Sequence, residues 1–172
     1  MLPKQLQTGV TMIELLVVLA VAVILATIAV PSFSLIINNT RLSSTMTQLT
    51  GDLNRARVEA IKRNTRMLIC VRGTNTACGT GTNWQNGWLV CYDEEHDGTC
   101  DTASATNPNP IVVRQAINSH LTLTGGAASI YFNPNGTQGA GGAATLTLSG
   151  DWAGAVNNVA SISATGNISK TP

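Results

Sequence analysis

One acidic residue, Glu14, stands at the head of an apolar run from Leu15 to Val30 that is interrupted only by alanines and Thr27. With Val10-Thr11-Met12-Ile13 before it and Pro31 after it, the helix has enough residues, at 1.5 Å rise each, to cross a hydrocarbon core of roughly 30 Å. Each Leu, Ile or Val in such a segment contributes roughly −0.3 to −0.6 kcal/mol at the helix centre, whereas an acid costs about 3 kcal/mol, and less near an end. Insertion is favoured in spite of Glu14. An unpaired carboxylate in lipid remains unfavourable, so Glu14 reads as a site with a missing partner. A cut after Gly9 would make the amine of Val10 a cation, and the geometry of a single helix suits a neighbour's carboxylate better than its own. The segment is therefore built to pack beside copies or relatives of itself. A secretory signal would carry a basic start and a small-residue cleavage site after a shorter core. Here Lys4 is the only leader base and no turn-rich region follows the run. A plain anchor would leave the acid unexplained.

The 172 residues allow one domain beyond this segment. Ten Lys and Arg against nine Asp and Glu create no global field that would recruit nucleic acid. Beyond Pro31 the helical pattern resumes to Arg66 and becomes amphipathic. Leu42, Met46, Leu49, Leu53, Ala56 and Ala60 fall on one face, which is expected to pack on a sheet of the same chain. Arg41, Gln48, Arg55 and Lys62 mark a face left in water. Asn64 is a helix stop. From Met67 the period switches to two. Strands are predicted at Met67–Val71, Gly87–Tyr92, Ile111–Gln115, His120–Leu123, Ser129–Phe132, Ala144–Leu148, Val159–Ala164 and Asn167–Lys170, with loops at Asp93–Pro110 and Gly136–Gly142. A helix followed by antiparallel strands gives an α+β layer arrangement.

Cys70, Cys78, Cys91 and Cys100 all follow the apolar segment, so an oxidising outer compartment would let them pair. Of three pairings, Cys70–Cys78 with Cys91–Cys100 is favoured, because each closes a short loop between strand ends. Each such loop is worth roughly 2–3 kcal/mol. Zinc is the weaker alternative, since no close C-x₂-C pair is present, and no metal or cofactor is assigned. Asp93-Glu94-Glu95-His96-Asp97-Gly98-Thr99-Cys100-Asp101 has the alternating acids of a calcium loop. It lacks flanking helices and a closing Glu, and reads as a solvated acidic turn. His96 and His120 form no catalytic arrangement that the sequence defends. Arg55, Arg57, Lys62, Arg63 and Arg66 read as a solvated helix face, with little aromatic interleaving for stacking on DNA.

Gly9-Val10-Thr11-Met12-Ile13-Glu14-Leu15-Leu16 resembles the class III signal of type IV pilins and type II secretion pseudopilins, with Val10 where phenylalanine is usual. Leu53-Asn54-Arg55-Ala56-Arg57-Val58-Glu59-Ala60-Ile61-Lys62-Arg63, the tract Gly87-Trp88-Leu89-Val90 and the ending Ile162-Ser163-Ala164-Thr165-Gly166-Asn167-Ile168 are similar to the H-type pseudopilin group, which includes the FimT and FimU minor pilins. The resemblance implies a peptidase cut between Gly9 and Val10, N-methylation of Val10, an assembly contact at Glu14 and a helix kink at Pro31. It implies a type IV pilin-like fold: leader 1–9, transmembrane helix 10–31, amphipathic helix 32–66 and an antiparallel β domain 67–172. The expected role is a structural subunit and not an enzyme, assembling or priming a type IV pilus at or near its tip. A type II secretion pseudopilin and a DNA-binding pilin of transformation are the alternatives. DNA-uptake relatives carry alternating arginines where Asn167 and Ser169 stand here, which speaks against DNA. The implied partners are other pilins or pseudopilins, the prepilin peptidase and the inner membrane, with the globular part in the periplasm.

Overall fold

The computed structural model describes residues 9–103, 108–139 and 144–171, without the side chains of 28–32. Leader residues 1–8 and parts of the two expected loops lie outside them. Helix α1 spans Met12–Arg63, 52 residues. Its start is dictated locally by Thr11. The Thr11 carbonyl accepts from Leu15 N at 3.2 Å, and its hydroxyl accepts from Glu14 N at 3.3 Å. Thr-x-x-Glu is the capping-box pattern, and an acid in the first turn also faces the positive end of the helix dipole. Lys62 and Arg63 sit in the last turn, where the dipole favours cations. Asn64, at φ 50°, takes the left-handed conformation that stops the helix. The boundary falls at Arg63 rather than at Arg66. Pro31 lies within α1, and its side chain is outside the description.

The chain divides into two compact units, residues 1–39 and 40–172. The second contains the last turns of α1 and eight strands among the described residues: β1 (Met67–Val71), β2 (Trp88–Tyr92), β3 (Val112–Val113), β4 (Leu121–Gly125), β5 (Ser129–Phe132), β6 (Ala144–Gly150), β7 (Asn158–Ile162) and β8 (Ile168–Thr171). They form two four-stranded sheets rather than one, in the orders β3-β2-β1-β5 and β4-β6-β7-β8, with antiparallel pairing throughout. All eight predicted strands are present, displaced by a few residues at their ends. The largest difference is β3, which keeps only two residues of Ile111–Gln115. Hydrogen bonds from Ile111 N to Val90 O and from Arg114 N to Trp88 O continue the contact on either side of it.

The apolar stripe of α1 packs as expected. Leu42, Met46, Leu49, Leu53, Ala56 and Ala60 are buried in one cluster with Met67, Ile69 and Val71 of β1 and Trp88, Val90 and Tyr92 of β2. Leu121, Leu123, Leu146, Leu148, Ala160 and Ile162 of the second sheet join the same cluster. Arg41, Gln48, Arg55 and Lys62 are exposed, as their spacing required. β4, β6 and β7 bury alternate residues, the mark of a sheet with one covered face. β1 and β2 are buried at every position. Their other face, Leu68, Cys70, Leu89 and Cys91, forms a second cluster with Cys78, Cys100, Val113 and Tyr131.

Gly87 connects a short 3-10 turn (Trp84–Asn86) to β2 at φ 91°. A Cβ there would sit 2.1 Å from the Arg114 carbonyl oxygen, which is backbone and cannot swing aside. Gly87→Ala is expected to lower unfolding stability by at least about 2 kcal/mol, read as a fall in the denaturant midpoint.

Candidate functional site

The Gly9–Glu14 motif and the apolar face behind it are laid out along the start of α1. Val10, Met12 and Ile13 are 74, 81 and 71% exposed, and the apolar side chains from Leu15 to Leu25 are also exposed. A contiguous apolar surface of this extent marks an interaction with a membrane or with another protein. Among the described residues no helix is long and apolar enough to cross a membrane. Glu14 is exposed. Its backbone N–H serves the Thr11 cap, a role the sequence reading missed although the Thr-x-x-Glu pattern was legible.

In the globular unit the charged residues are bound inward more often than the sequence suggested. Arg57, read as part of a solvated face, donates from Nε to Gly136 O at 2.9 Å and from Nη2 to Thr165 O at 3.2 Å. It ties α1 to two turns, one of them closed by Gly166 at φ 78°. Arg66 lies 3.6 Å over the Tyr131 ring. Its Nε is 3.0 Å from Asp93 Oδ2, with the side chain only 13% exposed. That nitrogen makes no hydrogen bond of acceptable geometry, so the contact is an ion pair. Arg63 stacks over Tyr92 at 4.9 Å, and burial raises the pKa of the Tyr92 phenol. The solvated-face reading therefore holds for Arg55 and Lys62 and fails for Arg57 and Arg66, whose long stems reach polar groups across the domain.

Asp52 was not singled out by its spacing, yet it is buried on the apolar side of α1. Its Oδ2 accepts from Trp88 Nε1 at 2.9 Å and from Arg114 Nε at 2.8 Å. Its Oδ1 accepts from Arg114 Nη2 at 3.0 Å. This fork joins helix, β2 and the segment after β3. The Asp52 hydrogen bonds raise the Arg114 pKa. A signal was present, because Asp52 falls three residues after Leu49 and four before Ala56, inside the apolar stripe. A carboxylate there demands a buried donor.

Both expected disulfides are formed: Cys70–Cys78 and Cys91–Cys100. The acidic turn uses its carboxylates on its own backbone. Asp93 is buried and accepts from the N–H groups of Asp97 and Gly98. Asp97 accepts from Thr99 N and Oγ1, chiefly the backbone bond holding its pKa down. Asp101 accepts from Glu94 N. His120 Nδ1 pairs with Asp151 at 2.9 Å on an exposed turn.

Glu59 and Arg63 form an i,i+4 pair at 2.7 Å, and the bond from Arg63 lowers the Glu59 pKa below its ordinary 4.5. A depressed folded value places the contribution above the unfolded pKa and removes it as pH falls through the folded one. Glu59→Gln is expected to cost about 0.3–0.5 kcal/mol near pH 7 and progressively less as pH falls below the ordinary 4.5, by denaturant unfolding across that range.

The fold is similar to two crystal structures of the Pseudomonas aeruginosa (strain PAO1) type IV minor pilin FimU. One matches with TM-score 0.58, 20% identity, 77% of this chain and 90% of that chain. The other matches with TM-score 0.55, 20% identity, 76% of this chain and 92% of that chain. No curated relative matches at a significant level. Residues 4–30 match the prokaryotic N-terminal methylation motif, which covers the Gly9–Glu14 junction. Residues 45–166 match the model described as type II transport protein GspH, well over half of the chain, and the chain belongs to that family of minor pilins and pseudopilins.

Proposed function

We propose that this chain is a minor pilin that primes or joins a type IV pilus at or near its tip. The peptidase cuts between Gly9 and Val10 and the new amine of Val10 is methylated. Until assembly, the start of α1 holds the subunit in the inner membrane with the globular unit in the periplasm. Glu14 pairs with the amine of a neighbouring subunit, and Pro31 bends the helix. The chain performs no chemistry on a substrate. The observation that carries this reading is the exposed apolar face of α1 within the stretch that matches a methylation motif, on a fold like that of a minor pilin.

The family's description as a type II transport protein favours a second reading, a pseudopilin of a secretion system. Deleting the gene and restoring it on a plasmid distinguishes the two. Loss and recovery of surface fibres supports the pilus, and loss and recovery of secreted enzyme with normal fibres supports the secretion system. Neither phenotype would overturn the structural-subunit role. DNA binding is disfavoured by the inward pairing of Arg57 and Arg66. A salt-dependent gel shift with the full-length chain in detergent would reverse that view.

A further inference from the structure

The outer face of β1 and β2 gathers all four cysteines of the chain at one place. Cys70 lies opposite Leu89 and Cys91 opposite Leu68, so the two strand cysteines share a face diagonally across the pair. Two loops bring Cys78 and Cys100 back over that face. The four Sγ atoms all lie within 4.8 Å of one another, and Cys78 Sγ is 3.5 Å from Cys100 Sγ across the two disulfides. Cys70 and Cys91 are fully buried, and the surroundings are Leu68, Leu89, Val113 and Tyr131.

Loop stapling alone does not require the two bridges to touch. We propose that the same four sulfurs, when reduced, form a tetrahedral site for a soft divalent cation of the zinc class. Zinc takes four thiolates at about 2.3 Å, which sets neighbouring sulfurs about 3.8 Å apart. The four sulfurs already lie within 4.8 Å of one another, near the spacing such a set requires. Apolar side chains cover Cys70 and Cys91, Cys78 and Cys100 remain partly exposed, and four soft thiolates select a cation of the zinc class. Forming the site takes four electrons from a thiol or phosphine reductant and breaks both S–S bonds; the four protons come from the thiols or, with a phosphine, from water whose oxygen ends on the phosphine oxide. The cation then displaces the four protons. Reoxidation returns the four electrons to a disulfide-type oxidant, remakes both bonds and releases the cation. Metal and disulfides are thus alternative fasteners of the same two loops. A chain that reaches its compartment reduced can hold them together before oxidation.

The test uses the full-length chain in detergent, reduced anaerobically with a phosphine and titrated with Co²⁺ and then Zn²⁺. The expected result is one Co²⁺ per chain with intense thiolate-to-cobalt absorption, displaced by one Zn²⁺, and no binding to the oxidised chain. Cys100→Ser, also reduced, should lower Zn²⁺ affinity by about 100-fold or more. Zinc should also protect the wild-type thiols from alkylation and preserve the near-ultraviolet dichroism of Trp84 and Trp88. Cobalt bound without thiolate absorption, or with affinity unchanged in Cys100→Ser, would overturn the proposal. So would binding to a chain whose tryptophan dichroism is absent with and without metal, since that describes ligation by an unfolded chain.

Discussion

Asp52→Ala is expected to lower the unfolding free energy by about 3 kcal/mol, with a fall in melting temperature of about 10 °C. Two consequences come from deleting the same carboxylate, so their costs overlap rather than sum. The Trp88 indole N–H, donated to Asp52 Oδ2 at 2.9 Å in a buried position, is left without an acceptor, which by itself costs about 1–3 kcal/mol. The Arg114 guanidinium loses both arms of its fork. Removing one member of a fully buried pair costs about 3–5 kcal/mol. Arg114 keeps 36% of its side chain exposed, so water relieves part of its loss and the lower end applies. The Asp52→Ala/Arg114→Met double variant should be closer to wild type than the two single losses added together, because the stranded cation is gone as well. Thermal unfolding of the three variants gives the coupling, and additive losses would show that the fork is not a unit.

A larger effect is expected on assembly from Glu14, and the helix start makes the choice of variant matter. Glu14→Ala removes the charge and the acid of the Thr-x-x-Glu pattern, while its backbone N–H can still donate to Thr11 Oγ1. Glu14→Gln keeps a capping-box side chain, since glutamine serves at that position, and removes only the charge. On the proposed role both variants accumulate in the membrane at normal levels, because losing a charge makes the segment more apolar. Both should fail to support fibres or secretion. On that role the carboxylate would face the amine of an adjacent Val10 in a low-dielectric bundle, and deleting one member would leave the other buried and unpaired at a cost of about 3–5 kcal/mol. Expression of each variant in cells lacking the native chain separates the causes. If Glu14→Gln functions and Glu14→Ala does not, Glu14 acts as a helix cap rather than as an assembly contact.

Much of this was legible because hydrophobic period reports local geometry directly. Leu42 through Ala60 fixed the buried face of α1, and alternation located each strand to within a few residues. The short spacings Cys70–Cys78 and Cys91–Cys100 favoured the observed pairing. Periodicity tells which side of a strand is buried but not which strand lies beside it, so the division into two sheets could not be read from β4 or β5. The inward turns of Arg57 and Arg66 were hidden for a related reason. Their partners, Gly136 O, Thr165 O and Asp93, are far away in sequence, and a basic residue between polar neighbours looks solvated until the chain folds back on it. Asp52 was the exception that sequence could have exposed, a carboxylate set into an apolar stripe.

Processing of the N-terminus tests the central claim most directly, because on the proposed role the leader is exchanged for a free amine before Glu14 of a neighbour pairs with it. The proposed junction is Gly9-Val10, inside the stretch that matches the methylation motif. The measurement is the intact mass of the full-length gene product recovered from the membranes of its own host. The expected mass is that of a chain beginning at Val10, with one added methyl group and both disulfides closed. A mature chain that still begins at Met1, or one cut at any other bond, would contradict assignment as a pilin-type subunit assembled through its helix N-terminus.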